Sequence, residues 1–176
     1  EGNYKEGGLV NKTRYEYYAN GQIKSEQNYT DGNFLFKKNF LLFLVSQTQY
    51  VYNDNFQILF IRNYSGLPND NNLVSDTRYT YHEDGRIKRE ANFKNGKLVS
   101  ETRYAYHENG QKYYEMNYKD SELNGKWTWW YENGQIKQEG NYKEGRLVNK
   151  TRYEYYTNGQ IKSVKNYTDG NLVSQT

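Results

Sequence analysis

Asn20-Gly21-Gln22-Ile23-Lys24 is the stretch that decides the fold, because close copies of it recur along the chain. The copies stand at 55–58 in a decayed form, 84–88, 109–112, 133–137 and 158–162. The turn position of each copy, beginning at residue 21, is followed by the next after 35, 29, 25, 24 and 25 residues. Self-similarity at a fixed period of this length is the signature of a tandem-repeat architecture.

The two long spacings come from inserted residues. Asp169-Gly170-Asn171 runs directly into Leu172-Val173-Ser174, whereas the matching Asp31-Gly32-Asn33 is followed first by ten additional residues, 34–43. The next spacing holds four additional residues between Tyr64 and Leu73. Removing both insertions reduces the two long spacings to 25 residues, so the underlying period is 25.

The period divides the chain, residues 1–176, into one repeat array. Its predicted parts are a partial repeat 1–14, repeat 1 at 15–49 with the insertion 34–43, a degenerate repeat 2 at 50–78, and repeats 3 to 6 at 79–103, 104–127, 128–152 and 153–176. Residues 1–25 match 139–163 at all but two positions, which favours a recent duplication. Because the sequence starts and stops inside a repeat and has no initial Met, we expect a fragment or a processed product.

Each repeat carries two turn signals. One is Asn-Gly, and the other is Asp, Glu or Asn followed by Gly, as in Glu144-Gly145, where glycine supplies the positive φ of a tight hairpin turn. The segments between them are rich in Tyr, Thr, Ile and Val, which is typical of strands. The sequence therefore predicts an all-β fold, an elongated antiparallel β-meander of tandem β-hairpin repeats forming a single-layer twisted sheet.

Side-chain parity refines this prediction. A three-residue loop such as Glu132-Asn133-Gly134 keeps the same faces from copy to copy and places Tyr17 opposite Ile23. It also places Tyr29 opposite the leucine of the next strand. One face is then expected to collect Tyr15, Tyr17, Ile23, Tyr29 and Leu44, with Tyr79, Tyr81, Ile87, Phe93 and Leu98 in the third copy and Tyr153, Tyr155, Ile161, Tyr167 and Leu172 in the last. The other face is expected to carry Arg14, Lys24, Glu26 and Asn28.

The composition excludes several classes of protein. There are 21 Tyr, a single Pro and no Cys, so disulfides and thiolate metal sites are absent. The net charge is +3, with acids and bases interspersed, which argues against a nucleic-acid groove. No run of 18 apolar residues suggests a membrane-spanning helix.

The repeat unit Tyr-x-Tyr-Tyr-x-Asn-Gly-Gln-Ile-Lys-x-Glu-Gly-Asn-Tyr-Lys-Glu-Gly-x-Leu-Val resembles the bacterial variant of the MORN repeat. It is carried best by residues 130–148 and 153–173, while the second copy departs from it at Phe56, which replaces Gly. Members of this variant are often described as YwqK-type antitoxins of toxin–antitoxin systems. The resemblance implies a β-hairpin array, a role in protein–protein or membrane-associated assembly, and no catalytic residues.

An aromatic cluster is the most individual feature of the array. It comprises Trp127, Trp129, Trp130 and Tyr131, and Tyr113 and Tyr114 could extend it. Strand alternation puts Trp127, Trp129 and Tyr131 on one face and Trp130 on the other, and the short spacing of 24 predicts a bulge or a change of parity here. Trp and Tyr are favoured at binding hot spots, so these residues are candidates for partner binding. The alternative is a well-packed strand.

The insertion 34–43 is the second candidate. Phe36 and Phe40 belong to a stretch of apolar residues with two lysines, which would suit an apolar protrusion toward a partner or a membrane surface. The alternative is a degenerate segment that folds back on the sheet or widens it.

The remaining polar residues are interpreted as structural and not as catalytic or metal-binding. His82 and His107 occupy the position held by Tyr18, Tyr131 or Tyr156 in other copies, so we interpret them as structural substitutions. The recurring glutamates at 26, 90, 115 and 139 share one environment, whereas acid–base catalysis requires unlike environments. We therefore predict no catalytic residues, no metal and no cofactor.

Three functions follow from these observations. The leading hypothesis is a non-enzymatic scaffold for protein–protein interaction, antitoxin-like toward an unknown protein partner. The second is a secreted or surface-exposed bacterial array that engages host cells, and the third is a peripheral phospholipid-binding module, which a net charge of +3 disfavours. Open sheet edges would also allow self-association. Localisation, whether bacterial cytoplasm or cell envelope, is left open by the sequence.

Overall fold

The computed structural model describes residues 2–5, 8–31, 42–66, 68 and 72–176. Across these residues the fold is all-β, with no α-helix and fourteen strands. The strands are antiparallel in every pairing described, and their order in the sheet is their order in the chain, as consecutive hairpins require. This confirms the predicted meander of tandem hairpins. The predicted site residues Phe36 and Phe40 lie outside the described residues.

The chain divides into two compact units. Unit 1 comprises residues 1–79 and 92–97, and unit 2 comprises residues 80–91 and 98–176. The strands are β1 Gly2–Lys5, β2 Gly8–Tyr17, β3 Ile23–Asp31, β4 Leu42–Tyr52, β5 Ile58–Ser65, β6 Leu73–Tyr81, β7 Ile87–Lys94, β8 Lys97–Tyr106, β9 Lys112–Lys119, β10 Glu122–Trp130, β11 Ile136–Lys143, β12 Arg146–Tyr155, β13 Ile161–Thr168 and β14 Asn171–Gln175.

The two turn signals form two different loops. At the Asn-Gly signal, the N–H of Tyr131 donates to the carbonyl of Gln135 over 2.8 Å, and the N–H of Gly134 donates to the carbonyl of Tyr131 over 2.9 Å. Gly134 has φ +82°, so the predicted three-residue loop with a left-handed glycine is confirmed. At the other signal, Glu144 and Gly145 have φ +49° and +73°, which defines a two-residue turn of type I′.

The loops set the register that the sequence predicts. Tyr17 pairs with Ile23 across the first described Asn-Gly loop, and Tyr29 pairs with Leu44 on the next strand. Both pairings confirm the parity argument at the ends of the hairpins.

The predicted assignment of side chains to faces is wrong beyond Ile23, because Lys24 forms a β-bulge. Glu16 pairs with Ser25 while Tyr17 pairs with Ile23, so Lys24 has no cross-strand pairing partner on β2. A bulge adds one residue to one strand and reverses the alternation that follows. Glu26 therefore shares a face with Tyr15, and the predicted member of that face, Tyr29, lies on the opposite face, together with Arg14.

The last repeat of unit 2 has an equivalent bulge, so its predicted faces are corrected in the same way. Glu154 pairs with Ser163 and Tyr155 with Ile161, which makes Lys162 the bulged residue. Val164 is opposite Tyr153, whereas Tyr167 is opposite Lys150, whose Nζ lies 4.4 Å from the centre of the Tyr167 ring. Tyr167 is thus separated from Tyr153 and Tyr155 by the sheet. In unit 1, Phe93 is likewise on the opposite face from Tyr79, since the guanidinium of Arg78 lies 3.9 Å from its ring centre.

We name the two faces of unit 2 by their cross-strand columns. The tyrosine face contains the column Tyr104, Glu115, Thr128, Glu139 and Thr151, together with Tyr106, Tyr153 and Tyr155. The arginine face contains the column Arg103, Met116, Trp127, Gly140, Lys150 and Tyr167.

A threonine–asparagine hydrogen bond recurs between neighbouring strands and explains why both residues return in most copies. The threonine hydroxyl donates to the asparagine Oδ1 over 2.8–3.0 Å in Thr13–Asn28, Thr48–Asn63, Thr77–Asn92, Thr102–Asn117 and Thr151–Asn166. The amide of Asn166 then donates to Ser174 over 2.9 Å, and that of Asn63 donates to Ser75 over 3.1 Å. Asn166 and Asn63 therefore each join three adjacent strands.

This relay gives a first prediction. Replacing Thr151 by valine keeps the shape of the side chain but removes the donor to Asn166, and we expect the free energy of unfolding to fall by about 1 kcal/mol. Urea denaturation followed by circular dichroism measures the change. Thr168→Val, at an exposed strand end, is the matched control, and an equal loss in both variants would contradict the role of the relay.

The arginine face is covered by long cationic side chains. In unit 2 the guanidinium of Arg103 lies 4.5 Å from the ring centre of Tyr118. Glu101 is only 3% exposed and forms ion pairs with both Arg89 and Arg103. Apolar burial is sparse, since within the described ranges the buried hydrophobic residues are Tyr64, Ala91 and Trp127. Ladder hydrogen bonds and these covering side chains therefore share the stabilisation.

Candidate functional site

Unit 2 presents four Asn-Gly-type loops at one end of its hairpins. We call them the loop row, formed by residues 82–86, 107–111, 131–135 and 156–160. Each loop begins at a ring residue, which is His82, His107, Tyr131 or Tyr156 in turn. The repeat thus places one aromatic or imidazole ring at the entrance of every loop.

Hydrogen bonds to main-chain carbonyls connect the first three loops of the row to the repeat that follows each of them. Nε2 of His107 lies 3.0 Å from the carbonyl oxygen of Trp130, and the hydroxyl of Tyr131 donates to the carbonyl of Tyr153 over 3.3 Å. Because a carbonyl only accepts, Nε2 of the histidine must carry the hydrogen. His82 makes the same contact with the carbonyl of Tyr104 at 3.1 Å. Histidine and tyrosine therefore perform the same structural task in this row.

The last two loops of the row enclose a groove of about 790 Å³. We call it the aromatic groove, and its ring residues are His107, Tyr113, Trp130, Tyr131, Tyr155 and Tyr156. The rings of Tyr131 and Tyr155 meet edge to face with their centres 6.2 Å apart. Tyr156 is 54% exposed, so a ligand could reach its ring without any rearrangement.

Hydrogen bonds hold the walls of the aromatic groove in place. The hydroxyl of Tyr155 donates to the carbonyl of Ile136 over 2.9 Å, and the side-chain amide of Gln135 donates to the carbonyl of Gly159 over 2.8 Å. Burial raises the pKa of Tyr155, with smaller contributions from Tyr131 and Glu139, so its phenol stays protonated and remains a donor. The groove is thus formed before any ligand binds.

Lysines lie against the rings of the groove. Nζ of Lys137 is 5.5 Å from the ring centre of Tyr131, and Nζ of Lys112 is 5.7 Å from that of Trp130. These distances are within the range of cation–π attraction. Lys137 is the bulged residue of its strand, since Trp129 pairs with Gln138 and Trp130 with Ile136. The bulge therefore directs the lysine toward the tyrosine face.

The structure separates the predicted aromatic residues into three environments. Trp127 is 5% exposed on the arginine face, where its ring centre lies 6.0 Å from that of Tyr142. Trp129 lies on the same face but contacts Tyr113 and Tyr114, with ring centres 4.9 and 5.7 Å apart. Trp130 and Tyr131 line the aromatic groove.

The alternation predicted for Tyr131 is wrong. Trp127 and Trp129 share a face and Trp130 lies on the other, as expected, but Tyr131 is already part of a loop. Its ring therefore leaves the strand alternation and packs on Tyr155 at the tyrosine face. Tyr113 connects the two groups, because its ring also lies 4.9 Å from that of His107.

The short spacing before these residues has the predicted consequence. Leu123 pairs with Tyr118, but Trp127 pairs with Met116, so β10 carries additional unpaired residues between the two pairs. Gly125 lies in this bulge with φ +92°. The predicted bulge is thereby confirmed.

A smaller groove of about 300 Å³ occupies the corresponding place in unit 1. It lies between the loops 18–22 and 53–57 and includes Tyr18 and Tyr52, whose ring centres are 5.8 Å apart and edge to face. Phe56 stands where other loops have glycine, keeps a left-handed φ of +60° and is 61% exposed. The degenerate repeat therefore retains the loop geometry.

Several groove residues were missed by sequence reasoning. In the sequence, Lys137, Tyr155 and Tyr156 stand out only as members of the repeat, although all three line the groove. The repeat itself carries a signal for Tyr156, because this residue is equivalent to Tyr131, which the neighbouring tryptophans single out.

The electrostatics of the tyrosine face yield a pH prediction. Nζ of Lys126 lies 2.7 Å from Glu139, and the hydroxyl of Tyr153 donates to Glu139 over 2.9 Å. These contacts, with Lys126 the larger cause, lower the pKa of Glu139 below its ordinary value of 4.5 in spite of partial burial. We expect Lys126→Met to raise this pKa more than Tyr153→Phe does.

Carbon-detected NMR titration of the Glu139 carboxyl measures the change. Because the folded pKa is depressed, the stabilising contribution is present above pH 4.5 and is lost as the pH falls through the folded pKa. Lys126→Met should reduce that loss. An unchanged pKa in Lys126→Met would contradict the assignment.

Sequence comparison defines the class of protein to which this repeat belongs. A family model described as the MORN repeat variant matches residues 11–31, 77–95, 102–120, 123–144 and 149–169. The chain is therefore a tandem-repeat protein of the MORN repeat variant family. No curated protein sequence matches it.

Two solved structures share the fold over nearly the whole chain. The crystal structure of TcdB2-TccC3-TEV superposes with a TM-score of 0.60 at 15% identity, covering 97% of this chain and 9% of that one. The crystal structure of TcdB2-TccC3 without its hypervariable C-terminal region gives a TM-score of 0.58 at 14% identity, covering 99% and 9%. The chain thus spans about a tenth of these proteins, and the likeness concerns the fold alone. No helix in the described part of the chain is long and apolar enough to cross a membrane.

Proposed function

We propose that this chain is a non-catalytic scaffold that binds another protein through the aromatic groove of unit 2. The observation that carries the proposal is a groove of about 790 Å³ lined by Trp130, Tyr131, Tyr155 and Tyr156. Trp and Tyr dominate the energetics of protein interfaces because they bury large, rigid surfaces and still offer a polar group.

Preorganisation supports the same function. The rings of His107, Tyr131 and Tyr155 are fixed by hydrogen bonds to main-chain carbonyls, so a partner need not order them on binding. Fewer side chains then lose freedom at the interface, which leaves more of the contact energy for affinity.

A binding role also suits the ionisable groups. Catalytic acids and bases need environments that move their pKa values apart. In unit 2 the Arg86 guanidinium holds the pKa of Asp84 at about 2, but this carboxylate is an exposed loop residue bonded to its own loop. Acidic residues and lysines lie side by side in the groove, where they form a polar rim around the aromatic side chains.

The finer proposal is an antitoxin-like role, in which the partner is a toxin-like bacterial protein. Affinity capture from the native host tests the binding function. The tagged chain should retain one specific protein, and Tyr156→Ala should lose it. The matched control is Val173→Ala, which removes a side chain of comparable exposure (60%) outside the groove. Equal retention by Tyr156→Ala, or no specific protein with any variant, would contradict the proposal.

A further inference from the structure

The distance between successive loops of the loop row is close to the length of one turn of a polyproline II helix. Successive loops are two strands apart, and strands lie about 4.8 Å from each other, so equivalent loop positions repeat at about 9.6 Å. A polyproline II helix has three residues per turn and a rise of 3.1 Å, which gives about 9.3 Å per turn. One turn of such a peptide therefore matches one step of the loop row.

The row offers one aromatic ridge per step. Tyr106, Trp130 and Tyr155 end their strands at equivalent positions on the tyrosine face. The ring of Tyr106 meets His82 edge to face at 5.8 Å, as Tyr155 meets Tyr131 at 6.2 Å. Ridges of this kind leave slots between them, and aromatic-lined grooves are the common receptors of polyproline II segments.

The charges of the aromatic groove favour an uncharged ligand. Its wall contains both acids, Glu132 and Glu154, and lysines, Lys137 and Lys162. A cationic ligand would meet the lysine already seated on Tyr131, and an anionic ligand would meet the two carboxylates. A neutral, ring-bearing segment avoids both costs.

The hydrogen-bonding groups of the groove wall also favour a proline-rich ligand. Proline has no N–H, so a polyproline segment presents carbonyl acceptors only. The groove wall includes the indole of Trp130, the phenol of Tyr156 and the lysine ammonium groups, which are donors. Donors on the receptor and acceptors on the ligand are complementary.

We propose that the loop row of unit 2 binds an uncharged, proline-rich segment of the partner in the polyproline II conformation. Its pyrrolidine rings lie in the slots beside Trp130, Tyr155 and Tyr156, and its carbonyls face the donors of the groove wall. This inference rests on the proposed protein-binding function and specifies the chemistry of the partner.

Titration of the full chain with acetylated and amidated proline oligomers of four, seven and ten residues tests the inference. Calorimetry and the fluorescence of the tryptophans report binding. We expect affinity to tighten about threefold or more with each added turn, because each turn reaches another slot. Tyr156→Ala should weaken binding of the ten-residue oligomer about fivefold or more, while Val173→Ala leaves it unchanged.

A Gly-Ser peptide of ten residues is the matched ligand control, and it should not bind. Trp130→Phe keeps a ring but removes the indole donor, so it should weaken binding while circular dichroism confirms an intact sheet. No binding of the proline oligomer at about 1 mM, equal binding of the Gly-Ser peptide, or no effect of length would overturn the inference. If host-protein capture still depends on Tyr156 in that case, the binding function stands and only the ligand chemistry falls. If capture fails as well, both fall.

Discussion

Replacing Trp127 by alanine is expected to lower the free energy of unfolding by about 3–5 kcal/mol, the cost typical of removing a buried large aromatic side chain. Trp127 is 5% exposed and lies between Met116 and Gly140 on neighbouring strands. Its ring also packs against Tyr142 at a centre-to-centre distance of 6.0 Å. Because buried apolar side chains are sparse among the residues that the structure describes, the surroundings of Trp127 cannot easily collapse into the space. Urea denaturation followed by circular dichroism measures the loss.

Trp127→Phe provides the matched control. The indole N–H of Trp127 has no hydrogen-bond acceptor among the described residues, so phenylalanine gives up ring area but no hydrogen bond. We expect this variant to lose less than half as much stability as Trp127→Ala. If alanine were tolerated at a cost below about 0.5 kcal/mol, the range of ordinary surface changes, the burial of this residue would be refuted.

Replacing Gly140 by alanine is the second large prediction, with an expected cost of about 2–3 kcal/mol. A Cβ atom on Gly140 would lie 2.1 Å from the carbonyl oxygen of Asn149 and 3.0 Å from Cα of Lys150. Both are main-chain atoms of the paired strand, so relief requires β11 and β12 to separate. The ladder between these strands must therefore weaken, and thermal and urea unfolding report the change.

Gly170→Ala separates this steric cost from an ordinary glycine effect. Gly170 has φ +83°, but a Cβ atom there would meet nothing within 4 Å. Alanine at this turn should cost only about 1 kcal/mol, the strain of a left-handed residue. Equal losses in the two variants would show that Gly140 has no special steric role.

Much of the fold follows from the sequence, because turns carry strong local signals. The glycine of Asn133-Gly134 marks a left-handed position, and this fixes a three-residue loop and with it the pairing of the flanking residues. The repeat then transfers each local conclusion to every other copy. The family resemblance, the meander and the pairing at the ends of the hairpins could all be predicted in this way.

The faces could not be predicted, for a physical reason. Lys24 and Lys162 are bulged because two registers meet at each of them. The residue before each lysine pairs in the register set by the loop, and the residues after it pair in a register shifted by one. A lysine has no property that distinguishes a bulged position from a paired exposed one. The additional residue in each bulge therefore places Tyr29 and Tyr167 on the face opposite to the predicted one.

The candidate site was predicted in part. Trp130 and Tyr131 drew attention as members of an aromatic run, and the structure places both in the aromatic groove. Trp127 belongs to the same run but is buried, since strand alternation sends neighbouring side chains to opposite faces. Tyr155 and Tyr156 occupy the same repeat positions as Trp130 and Tyr131, but only the stacking of successive loops shows that all four line one groove.

The pairing of β12 with β13 tests the central claim most directly, that successive repeats lie side by side as strands with a bulge at Lys162. Cross-strand NOEs in an isotopically labelled sample report which backbone protons face each other. The structure predicts Arg152 opposite Lys165 and Tyr153 opposite Val164. NOEs joining Arg152 to Val164 and Tyr153 to Ser163 would instead describe an unbulged hairpin, and the absence of NOEs between the two segments would contradict the paired repeats themselves.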